Sequence, residues 1–261
     1  MRNVIGRELA IIEAESLRIV AIIQARTAST RLPGKVLMDL AGEPMLARVL
    51  RRTLRATTLD EVVVATTIQP ADDAIAAICL ARGWKYFRGS EDDVLDRYYQ
   101  AAVEFNSEAI VRITSDCPLI DSDIVDRVVQ EFLDRQPGVD YVSNALPKTT
   151  FPRGLDTEIM RFDVLKRAWF EDTNPLWREH VTPFILRHPD LFRLHGVVND
   201  VDQSYMRWTV DTREDLELVR RIFASFGHDQ FSWLDVVSLL TKNSQWLRLN
   251  QHVKQKTVPE S

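Results

Sequence analysis

Three apolar runs restrict what this chain can fold into more than any other feature. Ile19-Val-Ala-Ile-Ile23, Glu61-Val-Val-Val-Ala-Thr66 and Ala109-Ile-Val-Arg-Ile113 are nearly continuous rather than alternating. A strand reads this way when both of its faces are covered. Helical patterns follow each of them, over about 44–55, 72–82 and 121–133, and a further one spans about 92–105 behind the shorter strand Lys85-Tyr-Phe87. Pro44 suits the first turn of its helix, where no backbone N–H is needed. Strands alternating with helices of this length form parallel β-α-β units, so the expected class is α/β, a doubly wound and mostly parallel sheet.

The pattern loosens after Tyr141. Residues 141–160 carry Asn, Pro and Gly, with a short alternating run at Asp156–Met160. Helices are expected near Arg161–Phe170 and Pro175–Arg187, and strand-like runs at Phe192–Val198 and Met206–Val210. Two more helices follow, over Thr212–Phe226 and near Trp233–Leu240. The expected organisation is a leader over 1–17, one domain over 18–242 with a less regular insertion at 141–208, and a polar, frayed tail over 243–261. The sequence carries no internal repeat.

A chain of 261 residues with 45% hydrophobic and 27% charged residues is an ordinary globular protein. Its formal charge of −5 argues against a broad nucleic-acid surface, which must neutralise phosphates. No apolar stretch approaches a membrane span, and Glu8, Glu13 and Glu15 break up the N-terminal region where a signal segment would lie. Cys79 and Cys117 are the two cysteines, in no metal-type spacing, which fits a reducing compartment and a cytoplasmic protein.

The stretch Gln24-Ala-Arg-Thr-Ala-Ser-Thr-Arg-Leu-Pro-Gly-Lys35 directly follows the first buried strand. Ligands of open α/β sheets sit beyond the carboxyl ends of strands. Arg26, Arg31 and Lys35 place three cations in ten residues, beside the hydroxyls of Thr27, Ser29 and Thr30. A triphosphate calls for this mixture of guanidinium, ammonium and small residues that let backbone amides approach. The stretch is not a Walker loop, because Gly34-Lys35 lacks the upstream glycine. The competing reading is a solvated basic loop.

Asp116, in Thr114-Ser-Asp-Cys-Pro118, and Asp211, in Trp208-Thr-Val-Asp-Thr212, each follow a strand-like run. Nucleotidyl transfer needs a divalent cation held by one or two carboxylates and by substrate oxygens, and this pair is expected at strand ends, where a sheet-top ligand would sit. The rival reading of Asp211 is helix capping, through a box at Asp211–Glu214 or Thr212–Asp215. Asp72, Asp73, Asp92 and Asp93 open helices and are assigned to the helix dipole.

These motifs resemble the cytidylyltransferases that activate acidic sugars, the KDO and acylneuraminate enzymes, and most of all their SpsF-like branch. The family pattern Ala-Arg-x-x-Ser-x-Arg-x-x-x-Lys is met by Ala25, Arg26, Ser29, Arg31 and Lys35. Asp116 matches the Asp-x-Pro motif and Asp211 the Val-Asp-Thr-x-Glu-Asp-Leu motif, with the similarity running from about Ile19 to Phe226. The resemblance implies a CTP site, with Arg26, Arg31 and Lys35 on the phosphates and the start of the loop on the cytosine. It further implies Mg²⁺ on Asp116 and Asp211, and a homodimer.

The resemblance also covers Arg88-Gly-Ser90 to Arg97, making Arg88, Ser90 and Arg97 candidates for the ribose or base wall; a tight turn and helix cap is the simpler reading. The acceptor is expected against the insertion, where Asn144, Arg153, Asp156, Glu158, Arg178 and His180 concentrate polar side chains. A surface salt-bridge cluster is the alternative there, and His180 is not assigned a catalytic role. Arg153 and Arg178 are the expected partners of a sugar-acid carboxylate. Two rival functions are a sugar-1-phosphate nucleotidylyltransferase with another base, whose loop would be glycine-rich, and a catalytically silent nucleotide-binding domain, which would not require both aspartates.

Overall fold

Strand β1 (Ile19–Gln24) pairs in parallel with β2 (Glu61–Thr67) on one side and β4 (Ala109–Thr114) on the other. The structure is a computed structural model describing residues 17–255. All but the last residue of the expected leader, and residues 256–261 of the tail, lie outside the described residues. Among the described residues the sheet has seven strands, ordered β3-β2-β1-β4-β6-β5-β7. The others are β3 (Lys85–Gly89), β5 (Tyr141–Ser143), β6 (Glu158–Arg161) and β7 (Leu194–Gly196). β6 runs antiparallel to both of its neighbours, and the other pairings are parallel.

Both faces of the sheet are covered. Ile19, Ala21 and Ile23 of β1 join Val62, Val64, Val111 and Ile113 in one core. Val20 and Ile22 join Val63, Ala65 and Ile110 in the other. This period of two assigns alternate side chains to opposite layers. Each fully buried Val or Ile contributes about 1.5–3 kcal/mol of hydrophobic burial, so a strand with no exposed face is held firmly in register.

The first core packs α1 (Met45–Thr53), α2 (Asp73–Ala81), α4 (Ser122–Asp134), α8 (Arg213–Phe226) and α9 (Trp233–Lys242). The second packs α3 (Val94–Glu104), α5 (Phe162–Glu171) and α7 (Pro183–Arg187).

Three details differ from expectation. The single helix expected over Pro175–Arg187 breaks into α6 (Pro175–His180) and α7, because Pro183 lacks an N–H and the buried Val181 turns to φ +71°. The run Met206–Val210 is not a strand; it touches the 150s segment through one bridge, Arg153 to Arg207. The tail is not frayed over 243–255. A 3-10 turn at Ser244–Leu249 lays Trp246, Leu247 and Leu249 against the first core and buries Asn250.

The C-terminal ends of β1, β3, β4 and β5 and the start of the reversed β6 share one edge of the sheet. Every candidate residue taken from those strand ends therefore falls on the same side of the molecule.

Candidate active site

The loop after β1 is built rather than loose. The Ala25 amide still follows the sheet, donating to the Ala65 carbonyl at 3.1 Å. The chain is then caught by Asp72, whose Oδ1 accepts from the Thr27 amide and hydroxyl at 2.7 Å each, while its Oδ2 accepts from the Thr67 hydroxyl. Asp72 is thus the buried anchor of the loop rather than a partner of a helix dipole, a role that no local pattern reveals. Further on, the Leu32 amide donates to Ser29 Oγ at 3.3 Å and the Gly34 amide to the Thr27 carbonyl at 2.9 Å. Gly34 sits at φ +70°, which glycine reaches without Cβ strain, and this closes the loop and turns Lys35 inward.

Lys35 is 8% exposed and lies between the two aspartates singled out in the sequence. Its Nζ is 2.9 Å from Asp116 Oδ2 and 2.9 Å from Asp211 Oδ1, and it donates to the Val210 carbonyl at 2.7 Å. Arg31 reaches the other oxygen of Asp211 at 2.8 Å. Burial disfavours the ammonium, but the charges and hydrogen bonds of Asp116 and Asp211 outweigh it and raise the lysine pKa. Burial likewise opposes the charged form of Asp211, yet Lys35, Arg207 and Arg31 together hold its pKa below the usual carboxylate range.

Asp211 is not the helix cap. Thr212 caps α8, and Asp215 completes the box by accepting from the Thr212 amide at 3.0 Å. The Asp211 side chain is instead turned to three cations. Its segment is clamped where Gly154, at φ +110°, lets the backbone at 153–155 meet 206–209; a Cβ there would stand 2.7 Å from the Thr209 nitrogen.

The wall and acceptor candidates divide. Arg88 engages all three guanidinium nitrogens with the Thr67 and Gln69 carbonyls and Asp73, and so braces the β2–α2 connection. Arg97, 1% exposed, lies beneath the Ser90 turn and donates Nη1 to the Ser90 carbonyl; Ser90 Oγ accepts from the Asp93 amide. Arg178 likewise has all three nitrogens engaged, bonding Asp93 through two and the Trp169 and Asp172 carbonyls through the third. Asn144 is buried and pins the 155–157 backbone, donating to Leu155 O at 2.7 Å and accepting from Thr157 N at 2.8 Å. Glu158 faces Arg112 at 3.2 Å in the half-buried floor.

Arg153 and Asp156 pair at 2.8 Å at the partly exposed edge. His180 ends α6, and its neighbour Glu179 pairs with Arg26 at 3.2 Å. That ion pair brings α6 to the loop, so the less regular 141–208 segment and the basic loop meet.

A family model described as cytidylyltransferase matches residues 20–242. The chain belongs to the cytidylyltransferase family. Members of this family are nucleotidyltransferases that use CTP. The uncharacterized protein MJ1063 of Methanocaldococcus jannaschii is 37% identical over 94% of this chain and 99% of its own length. The spore coat polysaccharide biosynthesis protein SpsF of Bacillus subtilis is 32% identical over 86% of this chain and 95% of its own. A cytidylyltransferase structure from Leptospira borgpetersenii superposes with a TM-score of 0.86 at 34% identity, covering 92% of this chain and all of that one.

Among the described residues no group of three or more acidic, histidine or cysteine side chains is arranged around a metal position. Two carboxylates meeting on one buried cation fit a hard divalent ion that keeps phosphate and water oxygens for its remaining positions, and not a closed all-protein cage. Among the described residues no helix of this cytidylyltransferase is long and apolar enough to cross a membrane.

Proposed function

We propose that this cytidylyltransferase transfers CMP from CTP to a hydroxyl of a sugar acid and releases pyrophosphate, with Mg²⁺ as its metal. The observation that carries the reading is the meeting of Asp116 and Asp211, from distant segments, on the single ammonium of Lys35 beside Arg31. Lys35 and Arg31 are held ready by the two aspartates and are the cations that a triphosphate would draw away. Arg26, released from Glu179, is a third. The acceptor oxygen bonds to the α-phosphorus while the bond to the β-bridging oxygen breaks, and the chain's part is positioning and charge stabilisation. Asp116 and Asp211 would hold the metal, which when bound neutralises phosphate charge. Arg153 stands on the acceptor side as the partner of a carboxylate.

The SpsF name supports a place in surface polysaccharide or glycan biosynthesis. We carry a homodimer and a cytoplasmic location as further parts of the proposal, the first checked by light scattering of the purified protein. The reaction itself is tested by pyrophosphate release from CTP, ATP, GTP and UTP across a panel of sugar acids and neutral sugars. Release confined to CTP and a sugar acid is expected; release with a neutral sugar 1-phosphate and another nucleotide would replace this reading with its rival.

A further inference from the structure

Asp211 is held from two directions. Lys35 and Arg31 approach from the nucleotide loop, while Arg207 reaches Oδ2 from behind at 2.7 Å. Arg207 is itself fixed, with Nε and Nη2 on Asp215 at 2.9 and 3.2 Å and Nη1 on Gln255 at 2.5 Å. Asp215 is fully buried and also accepts from the Asp211 amide at 2.9 Å. Asn250, 2% exposed, donates Nδ2 both to the Arg207 carbonyl at 2.9 Å and to Asp215 Oδ1 at 2.8 Å. A buried polar chain thus runs Asn250, Asp215, Arg207, Asp211, and it begins beyond residue 242, where the family match ends.

We propose that Arg207, Asp215 and Asn250 are positioning residues that hold Asp211 in its metal-binding orientation, and that the segment 243–255 thereby completes the active site. The proposal rests on the reading of Asp116 and Asp211 given above. When Lys35 and Arg31 turn to a triphosphate, Arg207 is the partner that stays with Asp211. A guanidinium that is itself held by Asp215 and Gln255 gives its bond to Asp211 Oδ2 a fixed direction, as an ammonium on a flexible stem does not. Groups behind a metal ligand govern its affinity in this way.

The test is Mn²⁺ binding to the full chain in the presence of CTP, followed by electron paramagnetic resonance, with thermal melting and metal-free CTP binding alongside. Arg207→Lys and Asn250→Ala are each expected to weaken Mn²⁺ binding by roughly 10–100-fold, the range for residues behind a metal ligand, while metal-free CTP affinity stays close to wild type. Asp126→Ala serves as the stability control. Asp126 accepts from Thr57 and Thr58 at the opposite edge of the sheet, so this variant should melt earlier with Mn²⁺ affinity intact. Wild-type Mn²⁺ affinity in both Arg207→Lys and Asn250→Ala would overturn the proposal, as would an equal loss in Asp126→Ala. A wild-type protein that takes up no Mn²⁺ beside CTP would overturn the reading of the site, and this proposal with it.

Discussion

The Val210 amide donates to the Asp116 carbonyl at 2.8 Å. This one backbone bond joins the two carboxylate-bearing segments, and Thr209 reinforces it with a hydroxyl bond to the same carbonyl at 3.3 Å. The separation of Asp116 from Asp211 is therefore set by backbone, and the Lys35 side chain answers to a position already fixed.

Asp211→Asn should abolish turnover and also lower stability. The α8 cap is made by Thr212 and Asp215, so capping survives the change. What is lost is the charge facing Lys35, Arg31 and Arg207, and breaking a buried ion pair by removing one partner costs about 3–5 kcal/mol. Turnover assays and melting together check this; wild-type activity with an unchanged melting temperature would reject it.

Lys35→Ala should destabilise the apo protein, because it leaves Asp116 and Asp211 facing each other without their shared cation. Added Mg²⁺ or Mn²⁺ is then expected to raise the melting temperature of Lys35→Ala more than that of wild type, since the ion takes over the lysine's role between the carboxylates. Chelation with EDTA should remove the gain. Equal metal-induced shifts in the two proteins would show that the carboxylates do not act as a pair.

Arg153 and Arg178 separate by their partners. Arg178 is fully bonded within α3, α5 and α6, so Arg178→Ala should lose thermal stability. Arg153 has one carboxylate neighbour, Asp156, at a partly exposed position. Arg153→Ala should raise the acceptor KM about tenfold or more with the CTP KM nearly constant, as loss of a charge-assisted contact predicts. Steady-state kinetics in both substrates decides it, and an unchanged acceptor KM would remove Arg153 from the site.

Asp140 gives the fold a pH dependence. Hydrogen bonds from Arg193 hold its carboxyl below the usual range against the pull of burial, aided by the charges of Arg193 and Arg161. A depressed folded pKa stabilises the native state above the unfolded value, about 3.9, and that share is lost as pH falls through the folded value. Asp140→Asn should therefore be less stable than wild type near neutral pH, with the gap narrowing below about pH 4. Urea midpoints across this range check it; a constant gap would assign the effect elsewhere.

Strands β1, β2 and β4 were legible because burial on both faces leaves an uninterrupted apolar run. The basic loop and Asp116 stand out because they follow such runs, and Asp211 stands out through its Val-Asp-Thr motif. β6 and β7 overlap the short runs at Asp156–Met160 and Phe192–Val198, whereas the three-residue β5 acquires its strand character from pairing, which no local pattern records. A sequence shows Arg88 and Arg178 as cations without their partners; the Thr67 carbonyl and Asp93 become visible only in the fold. Asp72 and Asn250 were missed for the converse reason. Each acts on a residue far away in the chain, Asp72 on Thr27 and Asn250 on Asp215.

Calorimetric titration of CTP, UTP, ATP and GTP into the full chain, with and without Mg²⁺, tests the central claim most directly. CTP should bind more tightly than the other three, Mg²⁺ should strengthen its binding, and Arg31→Ala should weaken it by about tenfold or more, as loss of one charge-assisted contact predicts. Equal affinity for all four nucleotides, or CTP binding indifferent to both Mg²⁺ and Arg31, would contradict a CTP–metal site built on Asp116, Lys35 and Asp211.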